Sequence, residues 1–343
     1  MARIHLLTVY PESDLRSRGG YLALMENARV DRFKIHQLVD DPETADIVLF
    51  VEVDIGRFCE KVLKHPYTKR FREKCFMFSS DYRVIPFLPG VYTALEKSWY
   101  LRRRTRPGFY LSCMINPLIK FEPDANRDLL YSFMGDVQTA PVRRALARLE
   151  HPRGLWVDTS RESQAAMWNA SAEQRAVFWK RYADAGRRSQ FILCPRGVAP
   201  SSIRLFETMC LGRVPVILAD EWVPPQGPRW ENFSIQIPER DFRRVPGIME
   251  EREADAFEMG LAARNEWEEY FSPEVVFHRV VELCLEIQKS RRLPEALARL
   301  SIIPQLLRGR VIREYLRTWN PVVRRSRKEG RLRVRTGEGE GRN

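Results

Sequence analysis

The sequence predicts an α/β fold built from two Rossmann-like domains in succession, closed by a helical C-terminal stretch. Three observations carry that prediction. Short apolar runs alternate with helical stretches through residues 3–79, and the same alternation restarts at Leu129. Between them lies a Pro-rich, basic passage over 86–128, which suits a crossing from one domain to the next. Beyond Ile237 the apolar spacing turns helical. Alternating strands and helices imply parallel sheets, because parallel neighbours need a crossover that is usually a helix.

Taken in order, residues 3–9 read as a first strand, 10–20 as a polar loop ending in Gly19 and Gly20, and a helix starts at Tyr21. Residues 46–53 are a buried strand, 57–64 a helix and 74–79 a third strand that stops at Ser80-Asp81-Tyr82. The crossing carries one short strand at 108–112. The second sheet opens with a strand at 129–134, then a helix at 142–150, a strand at 155–157 and a helix at 172–185. Phe191–Cys194 is an apolar run stopped by Pro195 and Gly197, as expected for a buried parallel strand. Ser201 and Ser202 are N-cap candidates for a helix whose apolar positions are Ile203, Phe206, Met209 and Cys210 and which ends at Gly212. Residues 214–219 form the next strand and complete a βαβ unit; 233–237 follow as a strand. Helices are expected over 251–270, 273–288 and 294–319. The domain boundaries read as 1–125, 126–320 and a basic tail, 321–343, whose composition implies disorder.

Ligands in open α/β sheets bind beyond the carboxyl ends of strands, where the next helix points its N-terminus. That place holds Pro195, Arg196, Gly197, Ser201, Ser202, Arg204 and, one turn on, Glu207. A loop glycine, hydroxyls, free N–H groups and an arginine suit a diphosphate. A carboxylate three residues further suits the two hydroxyls of a ribose. The bland readings are a surface ion pair for Arg204 and an i,i+3 partner for Glu207, worth about 0.2–0.5 kcal/mol.

The same residues carry a likeness to a known family. Pro195, Gly197, Ser202, Arg204, Glu207, Gly212, Pro215, Val216 and Asp220 follow the order Pro-x-Gly, Ser-x-Arg, Glu, Gly-x-x-Pro-Val and an acidic residue. Trp222, Pro224, Pro225, Trp230 and Phe233 extend it, and Phe133-Met-Gly135 with Arg143 and Arg144 downstream supplies a second match. The pattern resembles the exostosin family of glycosyltransferases over roughly residues 129–245. The resemblance implies the GT-B architecture of two facing Rossmann-like domains. It implies an inverting, metal-independent transfer from a nucleotide diphosphate sugar, UDP-linked first of all, to a growing glycan, with no resident cofactor; the basic segments and C-terminal helices suit a lipid-linked acceptor. In that reading Arg204 steadies the diphosphate with Ser202 and the backbone near Gly197. Glu207 takes the ribose, one of Arg143 and Arg144 reaches the phosphates, and Asp220 contacts the donor sugar.

A base must come from the first domain, where Asp81 is the first candidate and Glu52, Asp54 and Asp14 follow. A carboxylate serves once a partly dry cleft raises its pKa towards neutrality. Glu52-Val-Asp54 also fits a divalent cation, but the nucleotide-like constellation lies far downstream of it, so no metal residue is assigned. The five histidines pair with no Ser, Cys or Asp in a hydrolase pattern.

The chain's 343 residues, 44% hydrophobic, suffice for two cores. Cys59, Cys75, Cys113, Cys194, Cys210 and Cys284 show no metal spacing and read as buried, reduced thiols. No apolar run approaches the ~20 residues that span a bilayer, and the N-terminus lacks the pattern of a signal peptide. The expectation is a cytoplasmic protein. The net charge of +12 is concentrated partly in residues 100–107 and 323–335, which suits peripheral attraction to an anionic inner membrane face. No nucleic-acid motif accompanies the charge, so specific nucleic-acid binding is not expected. The alternatives left open are a GDP-sugar enzyme of the fucosyltransferase kind and a catalytically inactive partner in glycan assembly.

Overall fold

A computed structural model describes residues 1–308, except 54, 83, 112–114 and 163–170, together with residue 312. Asp54, the end of the strand expected at 108–112, Cys113 and the 321–343 tail lie outside the described residues.

The first sheet is made by β1 (Arg3–Leu7), β2 (Gln37–Leu38), β3 (Ile47–Glu52), β4 (Cys75–Ser79), β5 (Gly90–Tyr92) and β6 (Thr105–Pro107), all parallel, in the order β2-β1-β3-β4-β5-β6. Helices α1 (Gly19–Val30), α2 (Glu60–Lys64) and α3 (Pro66–Arg70) connect its strands. β3 and β4 are buried at every position, which is why they read as unbroken apolar runs rather than as alternating ones. The chain runs outward from β1 to β2, then returns to place β3 on the other side. The switch point of this sheet therefore lies between β1 and β3.

Two expectations need correction here. The crossing's strand is Thr105–Pro107, not 108–112. Pro107 is admissible because β6 is an edge strand, and its Thr-Arg composition hid it from a reading based on apolar runs. Gly108 still donates to Tyr92 O at 2.9 Å, but the ladder stops there. The two short strands β2 and β5 were not expected at all.

The second sheet consists of β7 (Leu129–Gly135), β8 (Gly154–Asp158), β9 (Ser189–Pro195), β10 (Val214–Leu218) and β11 (Ile235–Gln236), parallel throughout, in the order β11-β10-β9-β7-β8. Its connecting helices are α4 (Pro141–Leu146), α5 (Ala172–Arg187), α6 (Ile203–Cys210) and α7 (Trp230–Phe233). α5 opens on a complete capping box, Ser171 with Gln174. α6 closes on Gly212, whose φ of 65° is the left-handed conformation that ends helices. The strand expected at 233–237 is shorter because Phe233 closes α7, and α4 stops four residues before the expected end. The topology repeats that of the first sheet, so its switch point lies between β7 and β9.

After a 3₁₀ stretch, α8 (Val245–Glu251) and α9 (Ala256–Tyr270) replace the single helix expected over 251–270. α9 packs on α6 and α7, while α10 (Pro273–Ser290) returns to the first sheet and packs on α1, β5 and β6. One apolar core links the halves, running from Ile4, Leu49 and Phe78 through Phe206 to Val280 and Cys284. A second cluster fills the other face of the second sheet around Leu130, Phe191 and Val216. Residues 1–294 form one compact unit. The unit beginning at Glu295 has α11 (Glu295–Ala298), a 3₁₀ turn and α12 (Ile303–Leu306) over the described part of the helix expected at 294–319, of which 309–311 and 313–319 lie outside the described residues. The expectation of two Rossmann-like parallel sheets with a helical C-terminal region holds. Among the described residues, no helix is long and apolar enough to cross a membrane.

Candidate functional site

The carboxyl ends of β7 and β9 and the start of α6 meet at the switch point of the second sheet, and two arginines fill it. Arg204, in the first turn of α6, lies over the Phe133 ring at 4.4 Å from its centroid and donates through Nη2 to Met134 O at 2.6 Å. This close lie requires a glycine at the end of β7: a Cβ on Gly135 would stand 2.4 Å from Arg204 Nη2. Arg143 reaches the same point from α4. Its Nε donates to Arg196 O at 2.9 Å, Nη1 to Asp136 O at 2.9 Å and Nη2 to Pro195 O at 3.2 Å. It ties the ends of β7 and β9 together through their carbonyls. Arg144, its neighbour on α4, is exposed and donates to Gln138 O. Of the two, Arg143 is the residue turned into the switch point.

Arg143 is 8% exposed and Arg204 7%, and neither forms an ion pair with a carboxylate among the described residues. Burial, and then the Arg204 charge, bring the Arg143 guanidinium down to about 9, so it still carries its proton at neutral pH. Arg204 Nε and Nη1 and the hydroxyl of Ser201 are buried without a hydrogen-bond partner. Buried charge is ordinarily paired. Two guanidinium groups stand side by side, Arg143 with its nitrogens bonded to carbonyls and Arg204 with two donors unmet; arginine's fork of donors is suited to an anion with several oxygens. A cavity of about 10 Å³ between Arg204, Glu207 and Tyr182 has room for a water at most. A phosphate-sized ligand does not fit it.

Glu207 is 5% exposed, and both of its oxygens are engaged. Oε1 accepts from the Asn116 N–H at 3.0 Å and Oε2 from the Tyr182 hydroxyl at 2.7 Å. Burial raises its pKa in spite of both bonds. Ser202 occupies the N-cap of α6 without a side-chain cap bond, and Tyr110 donates to Ser201 O at 3.3 Å. Burial pushes the Tyr110 hydroxyl up to about 12, so it stays a donor.

Arg196 and Asp220 belong to a neighbouring polar cluster rather than to the arginine pair. Arg196 Nε donates to Glu239 Oε1 at 2.7 Å, and the Glu239 N–H donates to Asp220 Oδ1 at 3.0 Å. Lys97, from the connection between β5 and β6, donates to Asp220 O, and Glu96 bridges to Trp222.

On the first sheet, Asp81 is buried beyond the end of β4 and accepts from the Gly56 N–H at 2.8 Å. Glu52 ends β3 at the switch point, 0% exposed, and accepts from Val9 N–H at 2.8 Å and Thr8 Oγ1 at 3.1 Å. Burial raises its carboxyl to about 7. Asp14 is half-buried and is held below the usual carboxylate range by the Ser17 backbone N–H. Sequence reasoning missed Asn116, Tyr182 and Glu239. Asn116 and Glu239 act from turns distant in sequence from the residues they hold. Tyr182 lies on α5, whose apolar spacing carries no sign of a polar role.

With this geometry in view, the comparisons with known proteins are decisive on kinship. The model of the exostosin GT47 domain matches residues 67–251, more than half of the chain. The chain belongs to the exostosin GT47 family. The matched span includes Asp81 and every residue of the second-sheet switch point. A probable glucuronoxylan glucuronosyltransferase, IRX7 of Arabidopsis thaliana, is 38% identical over 26% of this chain and 22% of its own length. A probable glucuronosyltransferase of Oryza sativa subsp. japonica is 28% identical over 47% of this chain and 37% of its own. The chain thus spans well under half the length of these curated relatives. Among solved structures, that of Anabaena Alr3699/HepE in complex with UDP aligns with 84% of this chain and 99% of that one, at 9% identity and a TM-score of 0.38. A glycosyltransferase from Rickettsia africae covers the same shares at 8% identity and a TM-score of 0.41.

Proposed function

We propose that this chain transfers a glycosyl group from a UDP-linked donor to a glycan or lipid-linked acceptor, with inversion at the anomeric carbon. The observation that carries the reading is the buried pair Arg143 and Arg204 at the β7/β9 switch point, with two Arg204 donors unmet and neither guanidinium in ion-pair contact with a carboxylate among the described residues, although Glu207 acts on Arg204 and Asp136 on Arg143 through space. A diphosphate supplies oxygens for the unmet Arg204 donors, and the N–H groups at the start of α6 favour the same anion. Arg204, with donors unmet, takes the phosphates. Arg143 holds the strand ends in place and contributes its charge. Glu207 is the residue proposed for the ribose hydroxyls, which requires its bonds to Asn116 and Tyr182 to give way on binding, because the water-sized cavity beside it does not admit a sugar.

In the reaction, the acceptor oxygen attacks the anomeric carbon as the bond to the diphosphate breaks. The acceptor's proton passes to a carboxylate, and the electron pair leaves with the nucleoside diphosphate. Stabilising that leaving charge is the larger electrostatic task, and fixed guanidinium groups perform it without a metal at this site. Asp81 is the proposed base because it lies in the loop beyond β4, whereas Glu52 is enclosed in its strand and positions Thr8 and Val9. The relatives' names make a glucuronosyl donor the first to test. A cytoplasmic location, with the basic tail drawn to an anionic membrane face, remains part of the proposal and is tested by vesicle flotation of the chain with and without 321–343.

The reading is tested by calorimetric titration with UDP, GDP, CDP and ADP, followed by turnover of the preferred nucleotide's sugars. Preference for UDP, with turnover abolished and nucleotide affinity kept in Asp81→Asn, supports it. Preference for GDP moves the donor class, and no nucleotide binding removes the catalytic reading.

A further inference from the structure

Where α10 packs against α1, side chains from two distant segments converge. His36 lies just before β2, and His278 and Glu282 are one turn apart on α10, so they share a face. His36 Nε2 stands 3.1 Å from Glu282 Oε1, and the ligand-capable atoms of all three residues lie within 4.8 Å of one another. The two imidazoles are stacked with centroids 5.1 Å apart, and Phe33 stacks on His278 at 4.1 Å.

The polar atoms at this point do not find partners. The His36 side chain is 1% exposed, yet both ring nitrogens lack a hydrogen bond, the Glu282 contact being close but misaligned. His278 Nδ1 and Asp31 Oδ1 are buried and unpartnered as well. Asp31 ends α1, gives its other oxygen to the Lys34 N–H at 2.9 Å and bears electrostatically on both imidazoles. Buried polar atoms are nearly always satisfied. A hydrogen bond shared by His36 and Glu282 alone would leave the atoms of His278 and Asp31 unexplained.

We propose that His36, His278 and Glu282 bind a divalent ion of the zinc class, with solvent completing its coordination, and that the ion ties the returning helix α10 to the segment after α1. Imidazole nitrogens with carboxylate oxygens are a donor set that zinc, cobalt and nickel accept, whereas calcium and magnesium prefer oxygen alone. Ligand atoms around a tetrahedral ion at about 2.1 Å stand about 3.4 Å apart, close to the His36–Glu282 separation. A rotation of the half-buried His278 side chain brings the third donor in. These residues lie outside the 67–251 span that the family model matches.

The test is a titration of the full chain, stripped with chelator and desalted, with Co²⁺ as a spectroscopic probe, followed by competition with Zn²⁺. The proposal expects one equivalent of Co²⁺, visible absorption of a four-coordinate nitrogen–oxygen site, its loss on adding Zn²⁺, and a raised Tm. His36→Ala, and His278→Gln with circular dichroism unchanged, should each weaken binding at least about tenfold. Absence of saturable Co²⁺ binding by the folded chain would overturn the proposal. So would binding retained in the doubly substituted chain, thiolate charge-transfer bands that place the ion on cysteines, or stabilisation by Ca²⁺ and not by Zn²⁺.

Discussion

The two buried arginines look alike in exposure but differ in what they hold, and their substitutions should separate. Arg143 satisfies three backbone carbonyls at the ends of β7 and β9. Arg143→Ala leaves buried acceptors unmet and should cost about 2–3 kcal/mol of stability in urea unfolding. Arg204 makes one such bond and keeps donors free. Arg204→Lys retains the charge but loses the planar fork, so nucleotide affinity should fall at least about tenfold with little change in the urea midpoint. Glu52 gives a different signature. Its carboxyl is raised from 4.5 to about 7, so the folded state holds this proton more tightly than the unfolded chain. The contribution to stability is full below the ordinary pKa and is lost as pH rises through 7, an effect of at most about 3 kcal/mol. Between pH 5 and pH 8 the wild type should lose stability that Glu52→Gln does not. Equal pH dependence in the two proteins would show that Glu52 is ionised in the fold.

At the scale of elements, the site depends on how closely a helix start approaches a strand end. Gly135→Ala puts a methyl 2.4 Å from Arg204 Nη2, so the guanidinium must leave Met134 O. The variant should fold with a near-normal Tm and bind nucleotide at least about tenfold more weakly. Full affinity would mean that Arg204 is not held there when ligand binds. The buried strands were legible in the sequence because β3, β4, β9 and β10 are enclosed on both faces and read as plain apolar runs. β2, β5 and β6 were not, being two or three residues long and rich in Gly, Pro and polar residues. The positions of Arg204, Gly135 and Pro195 at the switch point followed from a βαβ pattern with local spacing. The partners of Glu207 and Asp220 did not, since Asn116, Tyr182 and Glu239 reach them only through tertiary packing. His278 and Glu282 did carry a visible i,i+4 spacing, but His36, which completes the group, comes from the opposite end of the chain.

Across the whole molecule, the two sheets are coupled rather than hinged as independent bodies. α10 crosses from the second half to α1 and β5, and one apolar cluster contains residues of both sheets. Calorimetry of the chain should therefore show a single transition for residues 1–294, with van't Hoff and calorimetric enthalpies equal. Two resolved transitions would mean that each sheet unfolds alone. Contacts between the halves also meet the proposed donor site, because Tyr110 and Asn116 come from the crossing and hold Ser201 and Glu207. The central claim is that the arginine pair receives a diphosphate. The measurement that tests it most directly is calorimetric binding of UDP, UMP and uridine to wild type and to Arg204→Lys. Affinity should rise steeply from uridine to UDP in the wild type, and the gain from the second phosphate should largely vanish in the variant. Equal affinities for the three ligands, or a phosphate gain that survives the substitution intact, would contradict it.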